Sequence, residues 1–538
     1  MTQTVKLDRE GALTIADIEV VAVGGAKVTL AADAREQVAA FRAAAERALT
    51  AALASDPDKR VYGLNTGFGS NFKDYVSPDD LRALQRNLIL SHCAGMGPLA
   101  PVPVVRATML LRAASLARGH SMVRPVVIET LIDMLNAGVT PAVPSSGSVS
   151  ASGDLAPLSH VAAVVIGEGR VVNAKGEAVP TPAFLKETKA FAPISLEMKE
   201  GLALNNGCQY ANAWGALATA KMRRLIEAAA LTTALGVQVM RGMGRPFRAD
   251  LHALRAHAGS QRVAGWVFDL LAGYQFQDAS TDEKYDFDQR IQDPYNLRCA
   301  AQVLGPCLDL VARAEATMTT EARSVTDNPI DLNDDPNAYD LDEITSGGHF
   351  HGMPLAVEAF GLLQAAGIMA RLSNMRCARI VDANKNKGLG PQVRGNTPDA
   401  TKSGLMITEY TTAGLCNQIW GLAMPSHLMS VSTDSGQEDH VSMASNVAMR
   451  AYEAADRLAD ILAIEMAFAA QAEHVRAKEP VLPPVALGKA TQAALIQIGK
   501  TFPLVDGDRE LSWDLKTLAD AVLSGEIVAA TGYSFARH

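Results

Sequence analysis

The chain has 538 residues, a formal net charge of −9 and 48% apolar residues. Such a chain can bury a sizeable core and is not disordered. Its acidic balance argues against nucleic acid as a partner, because phosphate binding needs a clustered basic surface. The six cysteines are scattered and form no C-x-x-C pair, which fits reduced thiols better than a disulfide framework or a zinc site. The first ten residues lack the apolar segment of a signal peptide. The uncharged stretches 134–153 and 410–433 are broken by Pro, Gly, Ser and Asn, so neither reads as a bilayer span. The expectation is a cytoplasmic protein with no membrane partner.

In chain order, residues 1–60 predict short strand-like pieces, Ile18-Glu19-Val20-Val21-Ala22-Val23 among them, and a helix over 31–54. A Gly-rich turn follows, Tyr62-Gly63-Leu64-Asn65-Thr66-Gly67-Phe68-Gly69. Residues 79–138 are helical in pattern, with Ile128, Leu131, Ile132 and Leu135 at three- and four-residue spacings. Residues 139–153 read as a loop. A helix over 154–166 starts at Asp154, whose charge suits the helix dipole. A hairpin and connector over 167–200 come next. Long helices follow over 207–243, 293–323, 352–384, 402–425 and 439–477. The last carries the stripe Ala451, Ala454, Ala455, Leu458, Ile461 and Leu462, with Glu465 read as an acid satisfied at a helix–helix seam. Pro480, Pro483 and Pro484 open a smaller helical tail. The fold class is mainly α: 1–206 an N-terminal active-site domain, 207–477 a long-helix bundle and 478–538 a helical tail.

The loop Gly147-Ser148-Val149-Ser150-Ala151-Ser152-Gly153-Asp154 packs serines, small residues and an acid ahead of a helix. On its own it could be an anion nest, a capped tight turn or a serine site, although no G-x-S-x-G elbow is present. Ala151-Ser152-Gly153 is also the tripeptide that cyclises to a methylidene-imidazolone (MIO) in aromatic amino acid ammonia-lyases. Ring closure needs the nitrogen of residue 153 to reach the carbonyl carbon of residue 151, and glycine at 153 removes the side chain that would obstruct it. The following Asp154-Leu155-Ala156-Pro157-Leu158-Ser159-His160 resembles that family's signature. So do the Tyr62–Gly69 turn, Ala203-Leu204-Asn205-Asn206-Gly207, Gln292-Asp293-Pro294-Tyr295-Asn296-Leu297-Arg298-Cys299, Thr326-Asp327-Asn328-Pro329 and Ser346-Gly347-Gly348-His349-Phe350-His351-Gly352, in the family's order. The chain is identified on these residues as resembling the MIO-dependent aromatic amino acid ammonia-lyases.

The resemblance implies an enzyme that eliminates ammonia without oxidation, a homotetramer with sites shared between subunits, and no cofactor beyond MIO from Ala151, Ser152 and Gly153. It implies Tyr62 as the base at the β-carbon, Arg298 as the carboxylate clamp, Asn206, Gln292 and Tyr295 as orienting groups, and Phe350 beside the prosthetic group. Taken singly, each has a bland alternative in packing or a surface pair. Ser91-His92 falls at the family's selectivity pair, where Ser-His is common in histidine lyases; a helix-end histidine is the alternative for His92. Gln437-Glu438-Asp439-His440-Val441-Ser442-Met443 resembles the histidine-lyase segment. An acid at 438 can accept an imidazole N–H or pair with imidazolium, whereas a phenyl ring would leave it buried and unpaired.

L-histidine to urocanate is therefore the expected reaction. The alternatives are a tyrosine or phenylalanine lyase, an aminomutase, a lyase for a modified histidine, and an inactive binding homologue. Departures from the pattern are Ser150 where Gly is usual, His349 for Asn, Lys402-Ser403-Gly404 for Leu-Asn-Ser-Gly, Gln418-Ile419-Trp420 for Glu-Asn-Lys, and the basic pair Lys385 and Lys387. His349 and His351 form an H-x-H pair without a third ligand, so no metal is expected.

Overall fold

The computed structural model describes residues 3–67, 76–77, 80–274, 292–395, 399–478 and 486–536. Phe68 and Gly69 of the Gly-rich turn, and the three tail prolines, lie outside the described residues. The protein is mainly helical, as expected. The strands among the described residues form only two-stranded pairs.

Residues 18–23 are not a strand. Residues 18–22 belong to a helix, Ile15–Ala22, and Val23 caps its C-terminal end. Thr14 and Asp17 close a capping box, each side chain bonded to the other's backbone N–H, which fixes a helix start. Ile15, Ile18, Val21 and Ala22 then fall on one buried face. The capping residues and the 3–4 spacing override the strand preference of a β-branched run. The strands nearby are Thr4–Leu7 and Lys27–Leu30, paired in parallel. The 79–138 region holds three helices, Leu81–His92, Val102–Ala117 and Pro125–Asn136, with a strand Met96–Leu99 between the first two. The hairpin expected over 167–200 is Arg170–Val172 paired with Ala178–Pro180.

The long helices are Gln209–Val239, Ala300–Ala322, Met353–Val381, Met406–Leu422 and Ala444–Lys478. The last has 35 residues, about 52 Å at 1.5 Å per residue. It starts later than the pattern predicts: after the turn at 433–438, residues 439–443 take no regular structure, and Met443 has φ +55°. The helix expected over 293–323 is interrupted at Cys299, leaving a short Tyr295–Arg298 turn ahead of it. Met353–Val381 is long and apolar enough to cross a bilayer, but 61% of its most apolar stretch is buried inside the protein.

The chain forms two compact units, each assembled from separate segments: 1–220, 314–359 and 425–449 in the first, and 221–313, 360–424 and 450–538 in the second. In the first, the helix Val102–Ala117 is buried along nearly its whole length and carries Arg112 into the interior. In the second, Glu465 meets Arg376 in an almost fully buried ion pair. Arg376 Nη2 donates to Glu465 Oε2 at 2.9 Å and Ser373 Oγ donates to the same oxygen at 2.6 Å. Arg376 Nη2 also reaches Thr232 Oγ1 at 3.1 Å. The acid is therefore satisfied between helices, as its place on the stripe implies.

Candidate active site

The first unit contains a cavity of about 590 Å³ whose lining includes Tyr62, Ala151, Ser152, Asn206, Phe350 and Glu438. Each wall is fixed by its own local device. Tyr62 sits in a turn stapled by Asn65, which accepts from Val61 N at 2.8 Å and donates to Lys59 O at 2.9 Å. Gly63 there has φ +80°, and a Cβ would come within 2.6 Å of Pro329 Cδ, so the turn tolerates no side chain at 63.

The loop at 148–154 is tied down by a buried polar knot centred on Asp154. Its Oδ1 accepts from Ser148 Oγ at 2.9 Å and Ser150 Oγ at 2.8 Å, and its Oδ2 accepts from Ala211 N at 2.7 Å. Burial pushes the Asp154 carboxyl above its ordinary range, and these hydrogen bonds pull it back down. Asp154 does not cap its helix with its side chain; its carboxylate instead gathers the loop. Ser150 carries the same loop to the start of the Ala444–Lys478 helix. Its Oγ lies 3.2 Å from Ser445 Oγ and accepts from Ser445 N at 3.1 Å, and its carbonyl accepts from Ser442 Oγ at 3.1 Å.

Within that frame, Gly153 has φ +76° and lies against the backbone of Gly207. A Cβ at 153 would stand 2.2 Å from Gly207 O and 2.3 Å from its carbon. Asp154 N donates to Gly207 O at 2.7 Å. Ala151 and Gly153 form a bridge across Ser152, so the tripeptide is bent back on itself. Asn206 Nδ2 donates to Ser152 O at 2.9 Å. The Asn206 carbonyl accepts from Arg112 Nη1 at 2.5 Å. Arg112 is completely buried, and burial lowers its guanidinium to about 10 against the pull of Asp327 and Cys208. Asp327 is held in turn by Lys199 at 2.8 Å and Ser121 at 3.0 Å. Asn206 Oδ1 is buried without a hydrogen-bond partner among the described residues.

Opposite the tripeptide, Glu438 is presented by a tight turn. Thr433 and Glu438 exchange two backbone hydrogen bonds, and Asp434, Ser435 and Gly436 between them all have positive φ. Glu438 Oε2 accepts from Thr433 Oγ1 at 2.8 Å, while Oε1 accepts from Ser152 Oγ at 2.5 Å. His351 stacks on His440 with ring centroids 5.6 Å apart, and both line the cavity.

Residues 13–500 match the family described as aromatic amino acid lyase. The chain belongs to that family. Histidine ammonia-lyase of Bradyrhizobium diazoefficiens is 40% identical over 89% of this chain and 88% of its own length. Histidine ammonia-lyase of Aromatoleum aromaticum is 38% identical over 98% of this chain and 94% of its own. The crystal structure of tyrosine aminomutase from Streptomyces globisporus superposes with a TM-score of 0.88 at 30% identity, covering 98% of both chains. This member of the family is a carbon–nitrogen lyase that eliminates ammonia.

Tyr62, Ala151, Ser152, Asn206, Phe350 and Glu438 are brought to one cavity, and Gly153 is not among the residues lining it. His92 is not among the residues lining it. Its Nδ1 lies 2.8 Å from Leu88 O in its own helix and 3.1 Å from Ser91 Oγ. Gln292, Tyr295 and Arg298 belong to the second unit. There Tyr295 is 70% exposed, and Arg298 donates Nε to Asp293 O at 2.8 Å and lies against the Tyr295 ring. His349 lies outside this cavity and lines another, beside Arg118, His120 and Arg323. No group of three His, Cys, Asp or Glu side chains able to hold a metal occurs among the described residues. Sequence reasoning assigned no task to Arg112, Lys199, Ser148 or Ser445. Asp327 was visible in a motif, but nothing in it announced a buried ion pair.

Proposed function

We propose that the chain converts L-histidine to urocanate and ammonia, with an MIO group self-formed from Ala151, Ser152 and Gly153. The observation that carries the substrate is the Glu438 carboxylate in the cavity wall, one hydrogen bond from Ser152. A partly buried carboxylate there offers an imidazole N–H an acceptor and leaves a phenyl ring facing an unpaired charge. The two histidine ammonia-lyases at 40% and 38% identity support the same substrate.

The residues at 151–153 suit ring closure. Gly153 sits where only a hydrogen fits against Gly207, the tripeptide is bent back across Ser152, and the unpartnered Asn206 Oδ1 lies beside it. Such a group, once formed, supplies an electrophile for the substrate amine, a poor leaving group on its own. Tyr62 takes the β-proton. Asn206 fixes the carbonyl of residue 152 and is itself fixed by Arg112. Glu438 orients the substrate ring, Phe350 borders the reacting centre, and His92 tunes ring selectivity. Arg298 clamps the carboxylate, with Gln292 and Tyr295 orienting, from another copy of the chain. That arrangement makes the active form a homotetramer. The apolar side chains exposed on the second unit, including Ile407, Tyr410 and Trp420, suit burial against other copies. Similarity to a tyrosine aminomutase keeps β-amino acid formation as the second reading.

The test compares wild-type protein with Glu438→Gln on histidine, tyrosine and phenylalanine, with rates expressed per matured site. Histidine should be the best wild-type substrate, and its advantage should shrink by roughly tenfold or more in the variant, the scale of one lost charged hydrogen bond. Tyrosine or phenylalanine turned over faster by wild type would overturn the substrate, and a β-amino acid product would favour the mutase.

A further inference from the structure

The hydrogen bond between Ser152 Oγ and Glu438 Oε1 joins two groups that the mature site cannot keep together. Ser152 must lose its hydroxyl for the prosthetic group to form, and Glu438 is the only hydrogen-bond partner of that hydroxyl among the described residues. The carboxyl is placed there deliberately. Three successive left-handed residues, Asp434, Ser435 and Gly436, form the turn, and two of them pay a conformational cost that glycine would not. Two backbone hydrogen bonds close the turn, and Thr433 Oγ1 holds the second carboxyl oxygen at 2.8 Å.

We infer that Glu438 is the general acid that expels the Ser152 hydroxyl during maturation, before it ever meets a substrate. This rests on the reading that residues 151–153 become the prosthetic group. In the first step Gly153 N bonds to the carbonyl carbon of Ala151. The Ala151 oxygen leaves as water with the protons of Gly153 N and Ser152 N, giving a carbon–nitrogen double bond. In the second step a proton that the Glu438 carboxylate has taken up from solvent passes from Oε1 to Ser152 Oγ as the Cβ–Oγ bond breaks. The Ser152 α-proton departs to solvent, and its electron pair becomes the Cα–Cβ double bond. The second water leaves, and Glu438 is again the carboxylate. Hydroxide is a poor leaving group and water a good one, so a positioned acid at 2.5 Å acts on the harder half of the process. Its departure with the hydroxyl leaves Oε1 without that partner, and the same oxygen is then available to the substrate ring. One carboxyl therefore acts twice, in sequence.

The geometry also separates the two steps. Cyclisation depends on the Gly153–Gly207 approach and on the Asp154 knot, neither of which involves Glu438. Removing the acid should leave the first water loss intact and stall the second.

The experiment follows the intact mass of freshly expressed full-length protein over time. Wild type should lie two waters below the sequence mass. Glu438→Gln should accumulate a species one water below it, with the second loss slowed roughly 10²-fold or more, the usual contribution of a general acid. Full two-water loss at the wild-type rate would overturn the proposal, and so would a variant that loses no water, since cyclisation would then depend on Glu438. Should Glu438→Gln fail to accumulate as folded protein, Thr433→Val carries the test: it keeps the carboxyl but frees it from its tether. A slowed second loss supports the role, and a wild-type rate refutes it. A wild-type protein of unmodified mass would instead sink the prosthetic-group reading, so the two failures are distinguishable.

Discussion

Ser150 departs from the glycine usual in this family, and the structure sets two effects of opposite sign at that residue. Its φ is +51°, where a Cβ costs on the order of 1 kcal/mol relative to glycine. On that ground alone, Ser150→Gly should stabilise. Against it stand a hydroxyl donating to the buried Asp154 carboxylate at 2.8 Å and the buried Ser445 N–H that the same oxygen accepts at 3.1 Å. A hydrogen bond to a charged group contributes about 1.5–3 kcal/mol, and a buried N–H left without a partner costs about 1–3 kcal/mol. The polar terms outweigh the strain, so Ser150→Gly should destabilise by about 1.5–5 kcal/mol. Ser150→Ala keeps the strain and loses the same hydrogen bonds, so it should be worse than glycine by about 1 kcal/mol. Urea unfolding of the three proteins under one set of conditions reads both differences as shifts in midpoint. If Ser150→Gly proves more stable than wild type, the hydroxyl is not holding the loop and the account of the Asp154 knot fails.

Tyr62→Phe should lower kcat by about 10²–10⁴-fold with little change in KM, the signature of a group acting in the transition state; steady-state kinetics on histidine with near-normal kcat would move the base elsewhere. Glu465→Gln should destabilise by about 3–5 kcal/mol, because it leaves the buried Arg376 guanidinium without its counter-charge; an unchanged urea midpoint would refute this. Burial, reinforced by Asp154, raises the Glu321 carboxyl from 4.5 to about 7. The folded state therefore holds this proton more tightly than the unfolded chain, so its ionisation should make stability fall as pH rises between about 4.5 and about 7. Glu321→Gln should remove that component of the slope in a pH series of unfolding midpoints, and an identical slope in the variant would contradict the assignment.

Much of the site could be read from residue order because its chemistry depends on short contiguous stretches. Ala151-Ser152-Gly153, Asn206-Gly207 and Glu438 each carry a requirement in the local sequence: a missing side chain, an amide or an acid. The Asp154 knot could not be read in the same way. Its partners Ser148, Ser150 and Ala211 are ordinary residue types, and what matters is that burial makes every one of their donors count. Ser445 is nearly 300 positions from Ser150, and no periodicity links them. The stretch Ile18–Val23 misled because its β-branched residues speak for a strand locally, while Thr14 and Asp17, just upstream, decide the matter. The long helices emerged because a 3.6-residue stripe over many turns is hard to mimic, although their ends shifted where turns such as 433–438 intervened. Gln292, Tyr295 and Arg298 share a recognisable motif, yet the motif alone does not reveal that they belong to a different compact unit from Ala151, Ser152 and Glu438.

The central claim is that this chain eliminates ammonia from L-histidine. The most direct measurement incubates purified wild-type protein with L-histidine and quantifies ammonia and urocanate together. The account predicts that both appear in equal amounts and that Ser152→Ala, folded and of wild-type oligomeric state, produces neither. Ammonia released from tyrosine or phenylalanine while histidine is left untouched would contradict the account, as would undiminished turnover by Ser152→Ala.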